Sequence, residues 1–404
     1  MRRKLVRAKL VEGRVIVSDF VRGTMTVTET MRRRRKAMSF EEAAFLIERG
    51  KMRVDDERGN EIGYEDFMRF AMRAQPDFML RYLVYRDLRE RGYAVRCGSD
   101  FIWLLPRGGK NGAKAFIYAF SERDSISISS LKKIVDISGN MRKEAIIAIV
   151  DDESDITYYS IHKANAIAAN NAIAANNANT AHVKGSDRRI RGVFLGDRVL
   201  ISDDKMAKKL HENLYGAFSG DVLYLSLVEA AYLLKKGIIS VDVVDVKERN
   251  GKGNGKKERD EAVERGKVDE IRKTEGRSEV EEQEGQSGEF DAFMKLASGI
   301  VSDFPLIYEV YEDLRDRGFI PKTGFKFGSH FRVYEQAGSK HSSFLVYVTP
   351  ESHCFSMYDI SRAVRLAHGV RKQMIFAMAE SRNDSGDAGG MSCLRYLCVV
   401  RLRL

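Results

Sequence analysis

Tyr334 ends the strand-like run FRVY, His341 follows a Gly/Ser turn seven residues later, and Lys372 closes the basic stretch RAVRLAHGVRK. Brought together by one sheet, a phenol, an imidazole and an ammonium can cleave RNA without a metal. One group takes the proton of the ribose 2′-hydroxyl and one protonates the leaving 5′-oxygen. The cation offsets charge on the pentavalent phosphorane. An imidazole, with an ordinary pKa of about 6.5, is the natural proton donor at neutral pH. A phenol ordinarily titrates near ~10 and becomes a useful base only where an adjacent cation stabilises the phenolate. Such chemistry leaves a 2′,3′-cyclic phosphate and a 5′-hydroxyl, and DNA cannot support it. The plainer alternatives are a strand aromatic for Tyr334 and a surface turn residue for His341.

Strands and helices must present these groups. FRVYE and SFLVYVTP, with their counterparts FIWLL and AFIYAF, are β-branched and aromatic, as strands are. SFEEAAFLIERG and SLVEAAYLLKKG begin on a Ser cap and stop at Gly, so each predicts a short helix. LRYLVYRDLRERG and LIYEVYEDLRDRG are amphipathic helices ended by Gly, and ISRAVRLAHGVRKQ is a helix with Arg, His and Lys on one side. AIIAIVDDESDITYYSI reads as strand, acidic turn, strand, and MSCLRYLCVVRLRL ends the chain as a strand, placed at an interface. The order is a small helix-containing N-domain followed by an α/β domain with a mixed sheet.

That order occurs twice. Phe67–Gly92 and Phe293–Gly318 align without gaps at an offset of 226 and share 14 identities in 26 positions. Met38–Asp55 matches Leu225–Asp242 at an offset of 187, and Met141–Val150 matches Val370–Ala379 at 229. The jump between the first two blocks locates an insertion, about Lys247–Glu289, rich in Gly, Lys and Glu and read as a disordered or weakly helical spacer. Ala164–Ala181 is a low-complexity Ala/Asn spacer. The expected domains are 1–60 and 61–163 in the first half, a linker over 164–187, 188–245, a charged linker over 246–289, and 290–404.

With 404 residues, 44% of them hydrophobic, the chain can build several cores. Its net charge of +10 makes an acidic polymer a reasonable partner. Four scattered cysteines fit neither a disulfide scaffold nor a zinc site, and no apolar run approaches a membrane span. No h-region follows the basic start, so a reduced, cytoplasmic protein is the expectation.

The pattern GFKFGSHFRVYE…KHSSFLV…RAVRLAHGVRK, with LSLVEAAYLLKKG upstream, resembles the archaeal tRNA-splicing endonucleases. The resemblance covers both halves apart from the spacers and the tail. It implies a restriction-endonuclease-like nuclease domain in each half, with Tyr334 as general base, His341 as general acid and Lys372 as stabiliser. It also implies that a flipped bulge base is held between two arginines, one of them Arg365. The substrate implied is precursor tRNA with a bulge–helix–bulge motif, with no metal and no cofactor.

Aligning Phe101 with Phe331 puts Leu104 at the Tyr334 position, while Ala113 or a neighbour replaces His341; only Lys143, opposite Lys372, survives. The first half should therefore be inactive and Lys143 structural. The resemblance then implies the tandem form, in which an acidic loop of the inactive repeat enters a basic cleft of a partner chain. Asp151, Asp152, Glu153 and Asp155 fit that loop, and a homodimer follows. The rivals are a metal-dependent, restriction-like nuclease and a non-catalytic structural RNA-binding subunit. His330 and His368 are expected in packing or helix-end roles. The basic run at 32–36 is an RNA contact or a solvated loop, and Asp245-Val-Lys247 is a weak metal-nuclease string.

Overall fold

The computed structural model describes residues 5–17, 37–106, 112–164, 167, 189–243, 279–380 and 393–404. The basic run at 32–36, the Asp245–Lys247 string and nearly all of the Ala/Asn spacer lie outside them, as do residues 246–278 of the charged spacer. Contacts divide the chain into two compact units. One is Met1–Asn165 with Thr323–Val333 and Ser342–Leu404; the other is Ala166–Lys322 with Tyr334–His341.

The first unit opens with strands β1 (Val6–Val11), β2 (Arg14–Val17), β3 (Ala37–Met38), β4 (Met52–Asp55) and β5 (Glu61–Ile62), ordered β3-β2-β1-β4-β5. β1 and β4 run parallel, and the helix Phe40–Glu48 makes the crossover. Ser39 caps that helix by accepting from the Glu42 N–H at 3.3 Å, and Gly50, at φ 62°, turns the chain into β4. Helices Tyr64–Ala74 and Phe78–Glu90 follow. The second of these carries Arg81, whose buried guanidinium donates to Glu41 at 2.7 Å.

Next come β6 (Val95–Cys97), β7 (Ile102–Leu104), β8 (Ala115–Ser121), β9 (Ser125–Ser127), the helix Ile128–Asn140, β10 (Glu144–Val150) and β11 (Ile156–Lys163). β10 reads EAIIAIV and is buried on both faces, which is why it shows no alternation of polar and apolar residues. Ala145, Ile147 and Ile149 enter one core with Phe116 and Leu131; Ile146, Ala148 and Val150 enter another with Tyr82, Leu88 and Ile117. One strand thus serves two cores.

The second unit contains β12 (Ile190–Phe194), β13 (Arg198–Ile201), the helix Asp204–Glu212, β14 (Ala217–Ser219) and β15 (Val222–Ser226). The helix Leu227–Lys235, β16 (Ile239–Val243), helices Glu279–Ser298 and Phe304–Asp316 and β17 (Ile320–Thr323) complete its elements. β12 and β16 pair in parallel, as β1 and β4 do. Ser226 and Glu229 form the reciprocal cap that the Ser-x-x-Glu spacing predicts. Glu229 is buried and accepts from the Lys322 ammonium at 2.8 Å. Burial pushes its carboxyl up, but Lys322, the Ser226 N–H and Arg315 together hold it below the usual value. Glu289, at the end of the expected charged spacer, lies in a helix and accepts from the Val241 N–H at 2.9 Å.

The chain re-enters the first unit with a 3₁₀ turn (Phe325–Phe327), β18 (Phe331–Tyr334), β19 (Phe344–Val348), β20 (Cys354–Ser356), the helix Met357–Gly369, β21 (Gln373–Glu380) and β22 (Cys393–Leu402). Phe344 pairs with Gln373 as Ala115 pairs with Glu144, so the duplication is structural, at an offset of 229. β22 pairs antiparallel with β21 on one side and with β11 on the other, Ile161 opposite Val399. The sheet therefore runs unbroken through both halves as β18-β19-β21-β22-β11-β10-β8-β7-β6. β9 pairs with β20, and Tyr159 shares a 2.6 Å hydrogen bond with Ser361. Side chains of both halves mix in one core, Ile134, Ile147 and Tyr159 with Ile360, Met374 and Val399. The expected mixed α/β architecture is present, and the interface foreseen for the last strand is the seam between the halves.

Candidate active site

Tyr334 is the last residue of β18. The carbonyl of Val333, immediately before it, accepts from the Ser343 N–H at 2.8 Å and closes the connection to β19. His341 stands one residue before Ser342. The Lys372 ammonium donates to the Ser342 carbonyl at 2.6 Å, a bond within the first unit, whereas Tyr334 and His341 fall in the second. Lys372 is aimed by its backbone. Arg371 is left-handed at φ 56°, and the Lys372 N–H returns to the Ala367 carbonyl at 2.9 Å beyond the end of the helix. His330 does not face this chemistry: its Nδ1 accepts the Val348 N–H at 3.0 Å and its ring packs on Tyr347. The packing role expected of it is what the structure places there, and His368 is exposed on the last helical turn.

Arg365 lies exposed on the helix Met357–Gly369. Tyr358, Arg362, Arg365 and Leu366 recur at helical spacing and share one exposed stripe. Among the described residues, Arg362, Arg365 and Arg371 form no ion pair, leaving three guanidinium charges available to an anion.

The first half repeats this scaffold without a matching tyrosine or histidine. Arg142 is left-handed at φ 55°, and the Lys143 N–H returns to the Ser138 carbonyl at 2.8 Å. The Lys114 N–H donates to the Leu104 carbonyl at 2.7 Å, as Ser343 does to Val333. Leu104 therefore corresponds to Val333, and the alignment of Phe101 with Phe331 is corrected by one residue. Leu105, not Leu104, takes the position of Tyr334, and Gly112, the neighbour of Ala113, takes that of His341. The reason is visible in β7: Ile102 pairs with Ile117 as Phe331 pairs with Val346, while Phe101 stays in the turn and stacks on Phe116 at 4.3 Å. A Cβ added to Gly112 would stand 3.8 Å from the Lys143 ammonium, so the retained lysine faces an empty histidine position.

Asp151, Asp152, Glu153 and Asp155 form the turn between β10 and β11. Asp151 shapes it by accepting from the N–H groups of Glu153 at 3.1 Å and Asp155 at 2.8 Å, and Ser154 is left-handed at φ 67°. Asp152 pairs with Arg123, while Asp152, Glu153 and Asp155 are exposed. The corresponding turn of the second half lies outside the described residues. No helix among those described is long and apolar enough to cross a membrane, and no group of three or more His, Cys, Asp or Glu is placed to hold a metal ion.

Two family descriptions match the chain. Residues 78–158 and 304–387 match "tRNA intron endonuclease, catalytic C-terminal domain", and residues 190–249 match "tRNA intron endonuclease, N-terminal domain". A tRNA-splicing endonuclease of Methanococcoides burtonii is 36% identical over 372 residues, 90% of this chain and 89% of its own. One from Methanosarcina mazei is 35% identical over 376 residues, 91% of this chain and 89% of its own. One from Pyrococcus horikoshii is 37% identical over 190 residues, 47% of this chain but 88% of its own, as a single copy of the repeat would be. The double match to the catalytic domain, the full-length likeness and the duplicated lysine scaffold lead to one statement: the chain belongs to the tRNA-splicing endonuclease family.

Proposed function

We propose that this protein excises introns from precursor tRNA by cutting a bulge–helix–bulge motif. Tyr334 removes the 2′-hydroxyl proton, His341 protonates the leaving 5′-oxygen, and Lys372 stabilises the phosphorane. The products carry 2′,3′-cyclic phosphate and 5′-hydroxyl ends. A bulge releases its phosphodiester from A-form geometry, so the 2′-oxygen can swing in line with the leaving group. Arg365 stacks on the bulged base as one of two arginines. The observation that most supports the reading is the likeness to tRNA-splicing endonucleases along about nine-tenths of the chain. The test is cleavage of a bulge–helix–bulge RNA in EDTA, with the product ends analysed. Full activity and cyclic phosphate ends are expected; loss of cleavage in EDTA would favour a metal-dependent nuclease.

One active half per chain and two cut sites per intron call for two chains. The 151–155 loop of each protomer's inactive half is the assembly element, engaging a basic surface of the partner. Opposed charges of this kind set register and specificity. Changing Glu153 and Asp155 to lysine should weaken dimerisation at least about tenfold, read by sedimentation at decreasing protein concentration. An unchanged dimer would remove the loop from the assembly.

A further inference from the structure

The second half holds a short insertion ahead of the strand that ends at Tyr334. The offset between the halves is 226 at Gly92 and Gly318 but 229 at Ile102 and Phe331, so the second half holds three more residues between these points. In the first half the turn is closed tightly, with the Gly98 N–H on the Phe101 carbonyl at 2.9 Å. In the second, the Gly324 N–H reaches the His330 carbonyl at 3.0 Å, and the added residues make the 3₁₀ turn Phe325–Phe327. The turn is held firmly. The Phe327 N–H bonds to the Gly324 carbonyl at 2.8 Å and the Gly328 N–H to the Phe325 carbonyl at 3.1 Å, while Phe327 packs on the core. Gly324 admits no side chain, since a Cβ there would meet the Ser329 hydroxyl at 2.3 Å and the Ser329 carbonyl oxygen at 2.8 Å.

This rigid turn leaves Phe325 88% exposed. An aromatic ring held out by a firmly bonded backbone makes no contribution to a core, and the fold forgoes the gain of burying it. The turn sits against the basic stripe: a Cβ on Gly328 would lie 3.5 Å from Leu366 Cδ1, directly beside Arg365. Lys326 is exposed next to the ring, and Tyr358, 61% exposed, continues the stripe. At the matching positions the inactive half has Ser129 for Tyr358 and Asp136 for Arg365, with Asp136 paired to Lys163 at 2.9 Å. The ring, its turn and the free guanidinium thus occur together in the half that retains the catalytic residue types and are missing together from the other.

We infer that Phe325 is a stacking platform for an unpaired base of the RNA substrate, set in a basic surface that holds the adjoining phosphates. This rests on the reading of the protein as an RNA endonuclease and adds a base-contacting residue to it. Cations positioned around an exposed aromatic suit single-stranded RNA, because every base offers a π-face and every nucleotide a charge.

The experiment measures binding of the full chain to a bulge–helix–bulge RNA carrying 2′-deoxy sugars at the cut sites, and to the same RNA with its bulges paired. Phe325→Ala should bind the bulged RNA about tenfold more weakly and the paired RNA within about twofold of wild type. Phe325→Trp should restore affinity. Because the ring lies outside the core, melting temperature should not change. Equal binding of the bulged RNA by wild type and Phe325→Ala would overturn the inference, as would equal losses on both RNAs. A changed oligomeric state of Phe325→Ala without RNA would assign the ring to a second copy of the chain and overturn it too. A wild type indifferent to the bulges would instead sink the endonuclease reading, and the platform with it.

Discussion

His341→Ala should slow cleavage of a bulge–helix–bulge RNA by about 10²–10⁴-fold, the range that general acid catalysis contributes. Binding should remain within about threefold of wild type, because in the proposed role of general acid the imidazole acts on the transition state and little on the ground state. Single-turnover rates and equilibrium binding, measured on one RNA, separate the two quantities. The companion substitution Lys372→Ala should cost about 10²–10³-fold, the scale of one lost electrostatic contact to developing charge. The contrast with the first half sharpens the expectation, since Lys143 faces Gly112 and should tolerate alanine without loss of rate. A His341→Ala protein that cuts at the wild-type rate would leave a structural RNA-binding role as the better reading.

The other large effect concerns stability. Removing residues 393–404 takes β22 out of the middle of the sheet, where it is hydrogen-bonded on both sides. Tyr396, Leu397, Cys398 and Val399 are all buried in the seam, Leu397 and Val399 each worth about 1.5–3 kcal/mol and the other two adding to them. Their sum rivals the roughly 5–15 kcal/mol that holds an ordinary domain together. The shortened chain should fail to give soluble, cooperatively melting protein. Val399→Asp provides the milder probe. It places a carboxylate at a site 1% exposed and should destabilise by about 4 kcal/mol or more, read by urea denaturation. Native-like melting of either variant would contradict the pairing of β22 with β11.

Much of this was legible in the sequence, and the reasons are specific. Capped helices announce themselves locally, and Ser39 and Ser226 stand where their spacing placed them. The duplication was legible because two blocks with 14 identities in 26 positions share an order of elements. Register was harder. Phe101 and Phe331 look equivalent because both are phenylalanine before a β-branched or aromatic run, but three residues had been added in a turn where no apolar pattern fixes the alignment. Hydrogen bonds settled it, at Leu104 and Val333. The seam was out of reach for a different reason. A run such as YLCVV reports that a strand is buried but not which strand lies beside it.

Val399 sits opposite Met374 in its own half and opposite Ile161 in the other. That closure in one covalent chain has a further effect. Two separate repeats would have to find each other by diffusion, and each would retain whatever surface both needed. Tethered together, their edge strands meet at an effective concentration on the order of millimolar whatever the dilution. Partnership is then guaranteed by connectivity, and one repeat is free to do without the tyrosine and histidine its sibling keeps while still supplying the template on which that sibling stays folded.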